Sequence, residues 1–165
     1  YWLARMVEGG EDPKFIARRL IISASEDIGL ANPNALLIAN TTFEAVEKVG
    51  WPESRIILSQ CAIYLANSPK GNAAYMAINK AQNAVQNTGN LNVPLPIRNA
   101  SSSLMKELGY GEKYKYSHDF EGNFAAQEFL PDELSGTSFY KSGSSTKEKE
   151  IEEKQNKLWD NKYKK

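Results

Sequence analysis

The 165-residue chain has a single cysteine, a single histidine, no net charge and no long apolar run, and each shortage removes a class of function. Cys61 alone cannot form an internal disulfide or a multi-cysteine zinc site, and a reducing compartment fits this usage. The 20 basic and 20 acidic residues cancel, so no overall field would hold nucleic acid by charge, and any such binding must be local. Nothing approaches the roughly 20 consecutive apolar residues that cross a bilayer. The start, Tyr1-Trp2-Leu3-Ala4-Arg5, also lacks the basic region and apolar core of a secretory signal. Missing too is Gly-x-x-x-x-Gly-Lys-Ser/Thr, the loop whose backbone N–H groups cradle phosphates, so the chain is not expected to hydrolyse ATP by itself.

What is there suits a globular domain: 41% hydrophobic and 24% charged residues, enough to bury one core. The chain starts without methionine and Trp2, Leu3, Met6 and Val7 already recur at helical spacing, which reads as part of something longer. Asp12-Pro13 supplies an N-cap carboxylate and a good first helical residue, and Ala17, Ile21, Ala24 and Ile28 form one apolar stripe before Gly29. Asn32-Pro33 repeats the device, with Leu36, Ala39, Phe43, Val46 and Val49 as the stripe and Gly50 as the stop. A third start lies at Trp51-Pro52, with Leu58, Cys61, Ala62 and Leu65 buried. Past Pro69 a fourth helix runs from Lys70 to about Asn87, its inner face Ala74, Ala77, Ile78, Ala81 and Val85. Its alanines would allow a close neighbour, making it a candidate for the bundle centre.

Beyond Gly89 the texture changes. Asn92 to Arg98 reads as an extended connector, since each proline pushes its predecessor from helical angles, and a short helix near Ser102–Leu108 follows. Residues 109 to 140 read as ordered irregular structure, with room for short strands, anchored by Tyr110, Tyr114, Tyr116, Phe120, Phe124 and Phe129. Ser142-Gly143-Ser144-Ser145 marks a hinge. From Lys147 to Lys165 seven lysines face five acids, with Glu150/Lys154 and Glu153/Lys157 at helical spacing. The expectation is an all-α bundle or collar of about five to seven helices, with an irregular Tyr-rich segment after residue 109. The domain would span 1–140, and 141–165 would form a charged tail, helical or disordered.

Candidates for chemistry are few. His118-Asp119 could orient a general base or offer a metal ligand pair, but no further partners are visible, and a polar histidine in a loop is the simpler reading. Cys61 falls on an apolar stripe and reads as core. Glu26-Asp27 could be paired carboxylates, yet adjacent helical positions point about 100° apart, and a salt bridge to Arg18 or Arg19 or a solvated end is simpler. Gly109-Tyr110-Gly111 lacks the third glycine of a dinucleotide loop and reads as a helix stop. The best binding candidate is Arg98, Lys106, Tyr110, Lys113, Tyr114 and Lys115, which interleaves phosphate-seeking cations with stacking rings. Glu107 and Glu112 dilute that charge, and tyrosines also fasten loops to cores. No catalytic, cofactor-binding or metal-binding residue is assigned.

The string from Tyr1 to Pro13, with Ile16-Ala17-Arg18-Arg19-Leu20 and Ala24 to Ala31, resembles the replication-associated recombination protein A family, also called maintenance of genome stability protein A. So do Val93-Pro94-Leu95, Arg98-Asn99-Ala100, Leu104 to Gly111, Tyr116 to Asp119 and Ala125 to Leu134. Ser101 stands where the family more often has proline, and residues 141 to 165 match no motif of it. Members resemble clamp loaders: an AAA+ ATPase followed by a helical C-terminal region that joins subunits. The resemblance implies a non-catalytic C-terminal oligomerisation domain, a homo-tetramer, of a protein acting at stalled replication forks and in recombination. Its alternative role is a DNA-contacting module using residues 98–116. ATP and Mg2+ would belong to the full-length protein. So would the partners, forked DNA with single-strand/duplex junctions and single-strand-binding protein, in a cytoplasmic, nucleoid-associated setting with no membrane. Phe43, Trp51, Ile56 and Tyr64 are candidate interface residues, core burial being the simpler reading for each.

Overall fold

In the computed structural model, which describes residues 1–160, 162 and 163, the protein is all-α. Among these residues there are seven α-helices, joined by 3-10 and π-type turns, and no strand. They are α1 (Trp2–Glu8), α2 (Pro13–Ser23), α3 (Asn34–Val49), α4 (Ser54–Ala66), α5 (Ala73–Thr88), α6 (Ser103–Glu107) and α7 (Thr146–Leu158). The chain divides into two compact units, one of Tyr1–Asn79 with Tyr140–Ile151, the other of Lys80–Phe139 with Glu152–Lys165. Of the lysine-rich segment expected to run to Lys165, Asn161, Lys164 and Lys165 lie outside the described residues.

The first unit is built on α2, α3 and α4, which pack on one another, with α1 against α4. The Asp12 carboxylate accepts the Lys14 N–H at 2.9 Å and Pro13 takes the first helical position, so α2 starts as its sequence directs. Ala17, Ala24 and Ile28 of its stripe are fully buried, with Ile21 packed beside them. The stripe outlasts α2 because Ala24–Ile28 form one wide π-type turn before Gly29, at φ +50, redirects the chain. From α4, Leu58, Cys61 and Leu65 meet it. Burying Leu58 alone is worth on the order of 2 kcal/mol.

Two expectations shift. The buried positions of α3 are Ala35, Ala39, Thr42 and Val46, while Leu36 and Val49 face outward, 44% and 49% exposed. The seam is therefore turned by one residue, because small side chains let α3 approach α2 and α4 closely. Asn32 does not cap α3. Its amide instead donates to the Tyr64 hydroxyl and to Ser68 Oγ, both at 3.0 Å, and ties the start of α3 to the end of α4. Gly50, at φ +72, ends α3 as expected, and its carbonyl accepts the buried Ser54 hydroxyl at 2.6 Å, which opens α4 after a cis Trp51–Pro52 bond.

Helix α5 is not the bundle centre. Only Ala73 is buried, and Ile78 and Val85 of its apolar face are 55% and 60% exposed.

In the second unit α6 is capped by Ser102, whose hydroxyl accepts the Met105 N–H. No strand forms between 109 and 140. Left-handed backbone at Lys113, Gly122 and Asn123 interrupts extended runs, and 3-10 turns occupy Ser117–Asp119, Glu121–Asn123 and Asp132–Leu134. Anchoring falls to fewer aromatics than expected. Phe124 and Phe129 pack edge-on against Trp159, at 5.1 and 6.4 Å, although Phe129, like Tyr114, Tyr116 and Phe120, remains at least 42% exposed.

Candidate interaction surfaces

The first unit carries an open groove of about 660 Å³ between α1 and α4, lined on its apolar walls by Leu3, Val7, Ile56 and Ile63. Amphipathic α1 turns Leu3, Met6 and Val7 toward the core, where all three remain only partly buried. Ile56 and Ile63 leave α4 on the side away from Leu58 and Cys61, and are 58% and 61% exposed. Glu8 and Arg55 add one charge of each sign.

Of the four residues proposed for a patch, Ile56 is therefore outward and Trp51 is 40% exposed. Phe43 is half-buried against the Ile16, Val46 and Leu58 cluster. Tyr64 is half-buried against the Ala35, Ala39 and Cys61 cluster, and its hydroxyl is engaged by Asn32. The signal that separates them is angular: Ile56 sits two residues from Leu58, about 200° around the helix, whereas Tyr64 lies one residue from Leu65.

The basic, tyrosine-containing segment splits in two. Arg98 is turned inward on its own unit: Nε donates to the Val93 carbonyl, and the guanidinium lies 5.0 Å from the centre of the Tyr110 ring, a cation–π contact. The Lys115 backbone and Gln127 exchange hydrogen bonds, and its ammonium donates to the Ala126 carbonyl at 3.4 Å. Lys106, Lys113 and Tyr114 are exposed, Tyr114 by 51%.

None of the chemical candidates assembles a catalytic set among the described residues. His118 Nδ1 lies 3.2 Å from Asn123 Oδ1 and its ring leans on Tyr116, so the neighbour that orients it is an amide. Cys61 is buried and burial pushes its thiol pKa up, with a hydrogen bond from Thr42 opposing, which makes it a poor nucleophile. Asp27 accepts from the Ser23 hydroxyl at 2.7 Å, and Arg18 rests over the Phe15 ring. Gly109 and Tyr110 donate to the Lys106 and Met105 carbonyls, which is the pattern of a helix stop. Among the described residues no group of three or more His, Cys, Asp or Glu could hold a metal ion, and no helix is long and apolar enough to cross a membrane.

Two carboxylates went unnoticed in the sequence. Glu148, in the first turn of α7, is completely buried; the Ser145 hydroxyl donates to its Oε2 at 2.7 Å, and Ser145 Oγ accepts the Glu148 N–H. Ser145-x-x-Glu148 is the spacing of a capping box, the one signal that could have revealed it. Glu128 gathers Lys162 at 2.8 Å, the Leu130 and Gly136 N–H groups and the Ser135 hydroxyl. Chiefly through the Lys162 bond, its pKa is pulled down to about 2.

Sequence comparison gives relatives for this arrangement. The family model described as the MgsA AAA+ ATPase C terminal matches residues 1–159, past Leu134 where the quoted motifs stop. A Thermotoga maritima protein is 47% identical over 163 residues, 99% of this chain and 26% of its own length. A replication-associated recombination protein A of Coxiella burnetii is 46% identical over 141 residues, 85% of this chain and 32% of its own. An ATPase WRNIP1 of Dictyostelium discoideum is 38% identical over 141 residues, 85% of this chain and 16% of its own. The chain thus spans a third or less of the length of these relatives, and its all-α fold fits the clamp-loader kind of C-terminal domain.

Proposed function

The chain belongs to the family of MgsA AAA+ ATPase C-terminal domains, and from that premise we propose that it is an oligomerisation domain that joins copies of its parent ATPase into a tetramer. The observation that carries this reading is the outward apolar side of α4. Ile56 and Ile63, well over half exposed, line a groove with Leu3 and Val7 on the first unit. Monomeric proteins seldom leave large contiguous apolar surface in water, and identical copies usually cover it by closed symmetry. Light scattering on this chain tests it: four copies per particle are expected, and a monomer at high concentration overturns it.

In this reading the parent protein works at replication forks and in recombination, with forked DNA and single-strand-binding protein as partners, in a cytoplasmic, nucleoid-associated setting. ATP and Mg2+ belong to its ATPase portion, since this chain has no Gly-x-x-x-x-Gly-Lys loop to cradle phosphates. This chain's contribution is non-catalytic: it holds several ATPase modules together.

A second reading, DNA contact by the same chain, is favoured by the exposure of Lys106, Lys113 and Tyr114 on the second unit. Stacking on such a ring is worth roughly 1–3 kcal/mol per base. Fluorescence anisotropy with forked DNA over a salt series tests it: affinity that falls with salt and drops on Tyr114→Ala supports it, and no binding at low salt removes it.

A further inference from the structure

Helix α5 carries an apolar stripe, Ala74, Ile78, Ala81 and Val85, at spacings of four, three and four residues, which place all four within about 60° of one another around the helix. Ile78 and Val85 are 55% and 60% exposed, Ala74 is exposed and Ala81 is partly buried, so both large side chains of the stripe face water in the single chain. Its order of sizes is small, large, small, large.

We infer that this stripe is a dyad interface on which α5 packs antiparallel against α5 of a second copy. The inference rests on the oligomeric reading above and names one of its contacts. Antiparallel pairing about an axis between residues 79 and 80 sets Ile78 against Ala81 of the other copy, and Ala74 against Val85. Each layer then holds one large and one small side chain, so the layers are equally thick and the helices can approach along their whole contact. Parallel pairing sets like against like and gives layers alternately crowded and empty. Charge also favours a second copy as the occupant. The only charged residue of α5, Lys80, lies about 130° around the helix from the stripe, and the flanking Gln82 and Thr88 are neutral, so two copies meet without opposing like charges. A tetramer of dihedral symmetry needs two different self-complementary interfaces, and the α1–α4 side supplies surface for the other.

The test mixes chains carrying Ile78→Cys with chains carrying Ala81→Cys under mild oxidation, with light scattering in parallel. A disulfide dimer forming mainly in the mixture, and weakly from Ile78→Cys alone, is the expected result. Ile78→Asp, at a half-exposed site that preserves the helix by circular dichroism, should halve the particle from four copies to two. If the particle holds four copies while the mixed pair fails to link, links through Ile78→Cys alone, or survives Ile78→Asp, the α5 dyad is wrong and the oligomeric reading stands. A monomeric unmodified chain overturns both.

Discussion

The carboxylate of Glu148 fills the space that a side chain at Gly71 would need. A Cβ placed on Gly71 would lie 2.9 Å from Glu148 Oε1, 3.0 Å from Oε2 and 3.1 Å from the Ala31 methyl. Glu148 is wholly buried in the first unit, held by Ser145 at one oxygen, while Oε1 has no hydrogen-bond partner among the described residues. Glycine at 71 is thus a demand of packing and not of backbone angle.

Gly71→Ala should therefore destabilise the protein by about 1–3 kcal/mol, the usual range for forced overpacking. Urea unfolding measures it. Combined with Glu148→Ala, which vacates the space, the loss should be clearly less than the sum of the two single losses, because the two positions share one volume. Additive losses would mean that Gly71 and Glu148 do not compete.

Asn32→Ala removes both donors that bind Tyr64 and Ser68. With two partly buried hydrogen bonds lost, a cost of about 1–3 kcal/mol is expected, read as a lower melting temperature. Asn34→Ala, at the first residue of α3 with an exposed side chain, is the control and should change little.

Glu128 sets an acid limit on the second unit. Its carboxyl is harder to protonate folded than unfolded, so its stabilisation is complete above the ordinary glutamate range and is lost as pH falls toward about 2. Lys162→Ala should raise the Glu128 pKa and move that loss to higher pH, which NMR titration of the Glu128 side chain would follow. An unchanged titration would show that the backbone N–H groups hold the carboxylate without the lysine.

Ile56→Asp and Ile63→Asp should break the α4 contact and lower the mass of the assembly without unfolding the chain, since both side chains already stand mostly in water in the single copy. Sedimentation velocity reads the loss of mass, and circular dichroism checks the fold. Variants that assemble like the parent chain would take α4 out of the interface.

The reach of the sequence can be judged residue by residue. Asp12-Pro13, Gly50 and the Ala17–Ile28 stripe were legible because capping, left-handed glycine and helical period act within a few residues. The α3 seam was misjudged because size suggested Leu36 and Val49 as the inner face, whereas close helix packing chose Ala35, Ala39 and Thr42. Glu148 was hidden in a lysine-rich run that reads as solvated, because its burial depends on Gly71 and Gly143, a contact between distant parts of the chain. Among the patch candidates Ile56 points outward, as its angle from Leu58 implies, whereas nothing in the sequence near Tyr64 signals that Asn32 holds its hydroxyl.

The oligomer is tested most directly by the mass of this chain in solution, by light scattering across a wide concentration range. Four chains per particle, persisting on dilution, is the expected result; one chain per particle at every concentration would contradict it.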